Sequence, residues 1–292
     1  MTSTQSTGSG NVARSLELLW GSGERPGRGP KPGLTLDRIV TTAVALADAE
    51  GLDAVSMRRL STELGTGTMS LYRYVPGKAE LIDLMLNHVQ GETDASAESP
   101  APAGSSADLG SGSGWRRAAE AMARAALALH QRHPWLLSVN QARPVLGPNT
   151  VSGLEKALSA IKGMGLTDPE MISVIVMVEG YVTGVARTHV HAIEVEKRSG
   201  ITDEEFWQVQ EPVLSKAMTS GVYPVMASLS MEAFSPEFDH FEFGLQRILD
   251  GLEVLVERRA AERGTSEQGT AERGTAERGT AERGTAERGT AG

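Results

Sequence analysis

The sequence predicts an all-α protein, two helical domains joined by a polar segment and flanked by low-complexity ends. Three observations carry that prediction. Apolar residues recur in steps of three and four, at Leu36, Ile39, Val40, Ala43, Leu46 and Ala47, and again at Phe238, Phe241, Leu245, Ile248, Leu252 and Leu255. Helix-start signals punctuate the chain at Ser56, at Asp168-Pro169-Glu170 and at Thr202-Asp203-Glu204-Glu205. Residues 56–78, SMRRLSTELGTGTMSLYRYVPGK, read as two short helices around a glycine turn.

The totals narrow the class. A chain of 292 residues holds two modest domains plus tails. Without cysteine, disulfides and thiolate metal sites are excluded. The opening MTSTQSTGSG lacks the charged and apolar regions of a signal peptide. No uncharged apolar run is long enough to span a bilayer, so a soluble cytoplasmic protein without a membrane partner is expected. The net charge of −9 argues against nucleic acid only weakly, because binding depends on a local basic patch. Arg58, Arg59, Arg73 and Lys78 cluster around the two short helices.

In chain order, residues 1–33 are rich in Gly, Ser and Pro and are expected to be disordered. Their Arg25, Arg28 and Lys31 make either a solvated tail or a basic arm that follows phosphates or enters a minor groove. The first apolar stripe predicts a helix capped by Thr35 and closed at Gly51. Met57, Leu60 and Leu64 share one face of the next helix, with Ser56 at its N-cap. Gly65-Thr66-Gly67 supplies the bend, because glycine accepts positive φ. A second short helix over about Thr68 to Tyr74 is stopped by Pro76-Gly77. Leu71 and Val75 lock it to its partner, which leaves Thr68, Met69, Ser70, Tyr72, Arg73 and Tyr74 mostly outward. Those groups suit base edges and phosphates. Shape alone fits an exposed hairpin in a larger helical core equally well. A fourth helix follows over Lys78 to about Val89, with Lys78 at its start, where backbone N–H groups also favour a phosphate.

The run from Leu34 to Val89 resembles the DNA-binding domain of the TetR family of transcriptional repressors. The resemblance rests on LTLDRIVTTAVALADAEG, VSMRRLSTELG, TGTMSLYRYV and PGKAELIDLMLNHV, and it covers the domain without an internal gap. It implies an N-terminal three-helix helix-turn-helix DNA-binding domain over residues 34–90. The residue types at Thr68, Met69 and Tyr74 vary in the family, so the operator sequence does not follow.

Residues 91–114, dominated by Ala, Ser, Gly and acids, read as a flexible linker or exposed loop. Helical patterns resume from Trp115 to His133 and, after Asn149, through Val151, Leu154, Leu158 and Ile161. The helix opened at Asp168 is apolar nearly all round and so buried. Glu179, Arg187, His189 and His191 argue against a membrane span, and Gly180 and Gly184 allow close approach of another helix. Thr202 to Glu205 is a capping box, and Pro212 is expected to kink or end the helix it opens. The stripe from Phe238 to Leu255, on a helix starting at Ser235-Pro236, is either core or an intersubunit seam. From Ala261 to Gly292 the repeated AERGT unit has no apolar face and too much glycine for a stable helix, so a disordered tail is expected.

HPWLL, RPVLGPN, EGYVTGVAR, DEEFW and FEFGLQRILDGLE are similar to the tetracycline-repressor type of C-terminal domain. That similarity implies that residues 115–260 form a C-terminal helical ligand-binding and dimerisation domain. Trp135, Asn140, Arg143, Glu179, Arg187 and Trp207, the polar or aromatic exceptions in apolar or turn-bounded segments, are the expected effector contacts. Glu179 either pairs with Arg187 or Arg143 or lines the effector pocket. His130 and His133 lack a third ligand nearby in sequence. No nucleophile–base set or phosphate loop is visible, so no enzyme, metal or cofactor is assigned.

The resemblance thus implies a homodimeric, ligand-responsive repressor on a near-palindromic double-stranded operator, the effector being a small molecule such as a multi-ring natural product. Ser56, Arg58, Arg73, Tyr74 and Lys78 would position the backbone; Thr68, Met69, Ser70 and Tyr72 would read bases. An effector-independent regulator or architectural DNA binder is the alternative, and diffuse rather than palindromic protection in a footprint would mark it.

Overall fold

The computed structural model describes residues 5–21, 33–97, 114–234 and 238–286, whose regular secondary structure is helical apart from one two-residue parallel strand pair, Gln5–Ser6 (β1) with Val139–Asn140 (β2). Helix α1 covers Val12–Trp20 and α2 covers Leu36–Glu50. Helices α3 (Met57–Glu63), α4 (Thr68–Tyr72) and α5 (Lys78–Ala97) follow. The C-terminal half contains α6 (Gly114–Arg132), α7 (Pro148–Ile161) and α8 (Asp168–Ser199). It continues with α9 (Asp203–Thr219), α10 (Pro224–Ala227) and α11 (His240–Ala286).

Two apolar clusters organise these helices. The first buries Ile39, Leu60, Leu71, Val75, Leu81, Ile82 and Met85, so α2 to α5 close around one core. Trp135 and Leu136, from the 3₁₀ turn Pro134–Ser138 that follows α6, enter the same core. The second cluster joins α6, α7, α8 and α11 through Trp115, Ala123, Ile161, Met164, Val178, Val182, Leu245 and Leu249. Charged pairs line the contact of α6 with α11: Arg116 meets Asp250 at 2.6 Å and Glu253 at 2.9 Å, and Arg124 meets Glu242 at 2.9 Å.

The local signals behave as their chemistry requires. Thr35 Oγ1 accepts from the Arg38 N–H at 3.1 Å, and Gly51 ends α2 with φ 84°. At α9 the Glu205 N–H donates to Thr202 Oγ1 at 3.2 Å while the Thr202 N–H donates to Glu205 at 2.9 Å. The start of α8 lies one residue before the expected position: Thr167 is the N-cap, and its N–H and hydroxyl both donate to Glu170 at 2.8 Å.

Several expectations are corrected. Residues 1–33 are not wholly disordered. β1 and α1 pack on the body of the protein, and Ser15 is fully buried. Composition averaged over the stretch hides VARSLELLW, an amphipathic helix whose Leu18 and Leu19 pack on the first core, and the Gly8 and Asn11 N–H groups find carboxylate acceptors. Arg25, Arg28 and Lys31 lie outside the described residues.

Residues 91–97 of the expected linker are instead the end of α5, which continues to Ala97, and residues 98–113 lie outside the described residues. Helix α9 runs through Pro212 to Thr219; no α9 residue is buried, so water can satisfy the carbonyl that proline leaves without a donor. The last long helix is described from His240, with Ser235-Pro236 outside the described residues.

α11 also passes into the AERGT repeats and is helical as far as Ala286. Ala, Glu and Arg are strong helix formers, the repeat sets each Arg four residues before the next Glu, and extending a formed helix avoids the cost of nucleation. Arg259, just before the repeats, pairs with Glu170, and Arg263, in the first repeat, donates to the Gly165 carbonyl at 2.7 Å. Residues 287–292 are outside the description.

Helix α8 is long and apolar enough, by length and composition, to cross a bilayer. The expectation that it is buried all round is corrected: it buries Val174, Val178, Val182, Ala186 and Val190 along one face and leaves Ile172, Val176 and Met177 exposed in a single chain.

Candidate nucleic-acid interface

The outward surface of α4 follows from how little of it is needed for packing. Leu60 on α3 and Leu71 and Val75 at α4 are fully buried. Gly65, at φ 63°, turns the chain between the two helices. Ser61 Oγ lies 3.0 Å from Thr68 Oγ1, so a hydroxyl pair pins the first residue of α4 to α3. Ser61 did not stand out in the sequence, since a serine beside Leu60 looks like ordinary helix surface.

Met69, at 78% exposed, stands almost free of the body, and Tyr72 is 44% exposed. Ser70 is half-buried beside them, and Arg58 and Arg73 are exposed. Among the described residues neither Arg58 nor Arg73 enters an ion pair. Arg59, by contrast, is held by Glu50 at 2.9 Å and Glu63 at 3.0 Å. The exposed groups of α3 and α4 therefore include two guanidiniums outside any ion pair among the described residues, a thioether, a hydroxyl and a phenol.

Three expected DNA contacts are occupied within the protein. Lys78 Nζ donates to the Leu52 carbonyl at 2.9 Å, and partial burial lowers its pKa against the opposing charge of Asp53. Tyr74 is half-buried and its hydroxyl donates to the Leu34 carbonyl at 2.9 Å. Ser56 Oγ accepts from the Arg59 N–H at 3.2 Å as the N-cap of α3. Each thus has a polar contact within the protein, while the Lys78 ammonium keeps two further N–H donors and the Ser56 hydroxyl, an acceptor here, keeps its own O–H.

Known proteins share this arrangement. Residues 39–85 match the family described as bacterial regulatory proteins, tetR family, and residues 108–256 match the tetracyclin repressor-like C-terminal domain. The HTH-type transcriptional repressor DrrR1 of Streptomyces coeruleorubidus is 62% identical over 260 residues, 89% of this chain and 92% of that protein. The chain belongs to the TetR family. This TetR-family protein is a DNA-binding transcriptional repressor and not an enzyme. An HTH-type transcriptional regulator of Saccharopolyspora erythraea is 26% identical over 242 residues, 80% of this chain and 90% of that one. Among solved structures, the TetR family protein ActR of Streptomyces coelicolor in complex with actinorhodin aligns with a TM-score of 0.60 at 30% identity, covering 76% of this chain and 96% of that one.

The TetR-family C-terminal half does not gather the six expected effector residues. Trp135 is 3% exposed in the N-terminal core, and its indole N–H donates to Asp48 at 2.8 Å. Asn140 and Arg143 lend their carbonyls to Thr7, whose N–H meets the first at 3.0 Å and whose hydroxyl donates to the second at 2.8 Å. Glu179 and Arg187 lie on the open side of α8, and Trp207 on α9 is 54% exposed against Phe206.

No ion pair joins Glu179 to Arg187 or Arg143 among the described residues. The first two are eight positions apart on one helix, about 12 Å along its axis. Glu179 is reached by solvent, yet the atoms crowding its carboxyl push its pKa above the ordinary value. Spacing along a sequence marks polar exceptions, but which side of a helix faces a cavity is decided by its neighbours.

His133 and His130 serve as structure. His133 Nδ1 is 2.7 Å from Asp48 and Nε2 is 3.1 Å from Glu92, while burial lowers the pKa of His130. No group of three His, Asp or Glu side chains among the described residues is placed to hold a metal ion.

Proposed function

We propose that α4 enters the major groove of a near-palindromic operator, with Met69, Ser70 and Tyr72 against base edges and Arg58 and Arg73 on phosphates. Supporting this reading is one observation: α4 spends Leu71 on packing and leaves Met69 78% exposed, on a helix-turn-helix unit that also exposes Arg58 and Arg73. An exposed thioether on this helix can meet an apolar surface such as a thymine methyl. Thr68, tied to Ser61, orients the helix rather than reading a base. In a homodimer the two copies of α4 would sit about 34–36 Å apart, one turn of DNA.

Dimer formation, typical of the family, would use the open faces of α8 and α11. Ile172, Val176, Met177, Phe243 and Val254 are exposed there in a single chain. The effector would sit in the C-terminal domain beside the apolar side of α9, and the actinorhodin bound by ActR makes a multi-ring aromatic the class to try first. Such a molecule releases DNA only if it binds more tightly to the conformation that does not fit the operator. The protein acts in the cytoplasm, where its operator is.

Replacing Tyr72 and Arg73 together by alanine in a dimer that still folds tests this. Loss of a phosphate contact and of a base contact should weaken specific binding by roughly 1–3 kcal/mol each. Specific binding as tight as the parent's would reject the reading.

A further inference from the structure

Two acids near the start of α5 are buried without a cation. Glu80 is 7% exposed and Asp83 2%, and among the described residues neither enters an ion pair. Such groups need other donors, and these come from the N-terminal segment. The Gly8 N–H donates to Asp83 Oδ1 at 3.0 Å, Ser15 Oγ donates to Asp83 Oδ2 at 2.7 Å, and the Asn11 N–H donates to Glu80 Oε1 at 2.8 Å. Asn11 is the N-cap of α1, so the positive end of that helix faces both carboxylates.

The same short segment grips the other domain. β1 pairs with β2, the Thr7 N–H and hydroxyl reach the Asn140 and Arg143 carbonyls, and Trp20 Nε1 donates to the Leu146 carbonyl at 2.8 Å. Helix α5 starts right after the Pro76-Gly77 stop of the helix-turn-helix. Residues 139–146 lie within the stretch 108–256 that matches the C-terminal domain family, and Val139 itself packs into the first core.

We propose that residues 5–21 form an intramolecular strap that fixes the angle between the helix-turn-helix unit and the C-terminal domain, with Asp83 as its positioning residue. The strap sets how far α5 can swing, and therefore how well paired recognition helices match the grooves; this last step rests on the operator reading above. A mutation in the strap then alters DNA affinity without touching DNA.

The test uses the full-length chain with Asp83→Asn, which presents an amide N–H₂ where an oxygen accepted, and separately Ser15→Ala, a milder change that keeps the proposal testable if the first fails to fold. Because the chain has no cysteine, spin labels at Met69→Cys and Glu155→Cys, diluted with unlabelled chain, read the distance between the domains without DNA. Amide exchange over residues 7–15 reads the strap itself.

The expected result is faster exchange, a broadened distance distribution and an operator affinity changed roughly 2- to 30-fold, the size of effects at residues that modulate coupling. Exchange that rises while distance and affinity stay at parental values overturns the strap, as does unchanged exchange in both variants. If the parent binds no specific duplex, the operator reading fails and the distance distribution alone decides the strap.

Discussion

The indole N–H of Trp135 donates to the carboxylate of Asp48 at 2.8 Å. A residue from the turn after α6 is thereby anchored on α2, the first helix of the helix-turn-helix domain. The same oxygen of Asp48 lies 2.7 Å from His133 Nδ1. One carboxylate therefore serves two buried groups across the domain junction, and the junction is a packed, hydrogen-bonded seam.

Removing that acceptor should be costly. Asp48→Ala leaves the indole and imidazole without their partner, and each buried unsatisfied donor costs about 1–3 kcal/mol. Urea unfolding should show a loss of roughly 2–5 kcal/mol. A loss within about 0.5 kcal/mol would mean that water replaces the carboxylate freely.

Lys78 and Arg73 should separate in a salt titration. Arg73→Ala should reduce the slope of log affinity against log salt by about one unit for a lost phosphate contact. Lys78→Met, which frees the Leu52 carbonyl, should leave the slope alone and lower the unfolding midpoint. Equal slope changes for both would return Lys78 to the DNA surface.

The glycines of α8 differ from Gly244 of α11. A Cβ at Gly180 or Gly184 would meet nothing within 4 Å in a single chain, whereas one at Gly244 on α11 would come 2.2 Å from the Tyr181 hydroxyl. The close approach expected at Gly180 and Gly184 thus occurs, within one chain, at Gly244. Gly180→Leu and Gly184→Leu should weaken dimerisation while the fold persists, as sedimentation at graded concentrations would show; Gly244→Ala should cost about 1–3 kcal/mol in stability through overpacking. A dimer unaffected by both α8 variants would place the subunit contact elsewhere.

Acid should loosen the C-terminal domain through Glu170. Its pKa is drawn from 4.5 down to about 2, first by the hydrogen bond from Arg259 and then by Thr167. A carboxylate whose pKa falls on folding stabilises the fold above its unfolded value, and that contribution vanishes as pH drops toward the folded one. The stability of the parent should therefore fall faster between about pH 4.5 and pH 2 than that of Glu170→Gln. Parallel acid curves would show the pair to be too solvated to matter.

The sequence by itself determined what depends on near neighbours in the chain. The stripe of α2, the Ser56 and Thr202 caps, the glycine bend at Gly65 and the exposed set Met69, Tyr72 and Arg73 all follow from helical periodicity and local backbone chemistry. The tertiary structure alone decided which polar groups were already partnered. Lys78 and Tyr74 look outward by spacing but meet the Leu52 and Leu34 carbonyls, and Trp135 joins the N-terminal core rather than a pocket. Helix α1 of the strap was legible as Asn11 before the amphipathic VARSLELLW, but its anchor points were not, because the Gly8 and Asn11 N–H groups and the Ser15 hydroxyl reach Asp83 and Glu80 only after folding. Periodicity is a property of one helix, but a hydrogen-bond partner tens of residues away is a property of the packed whole.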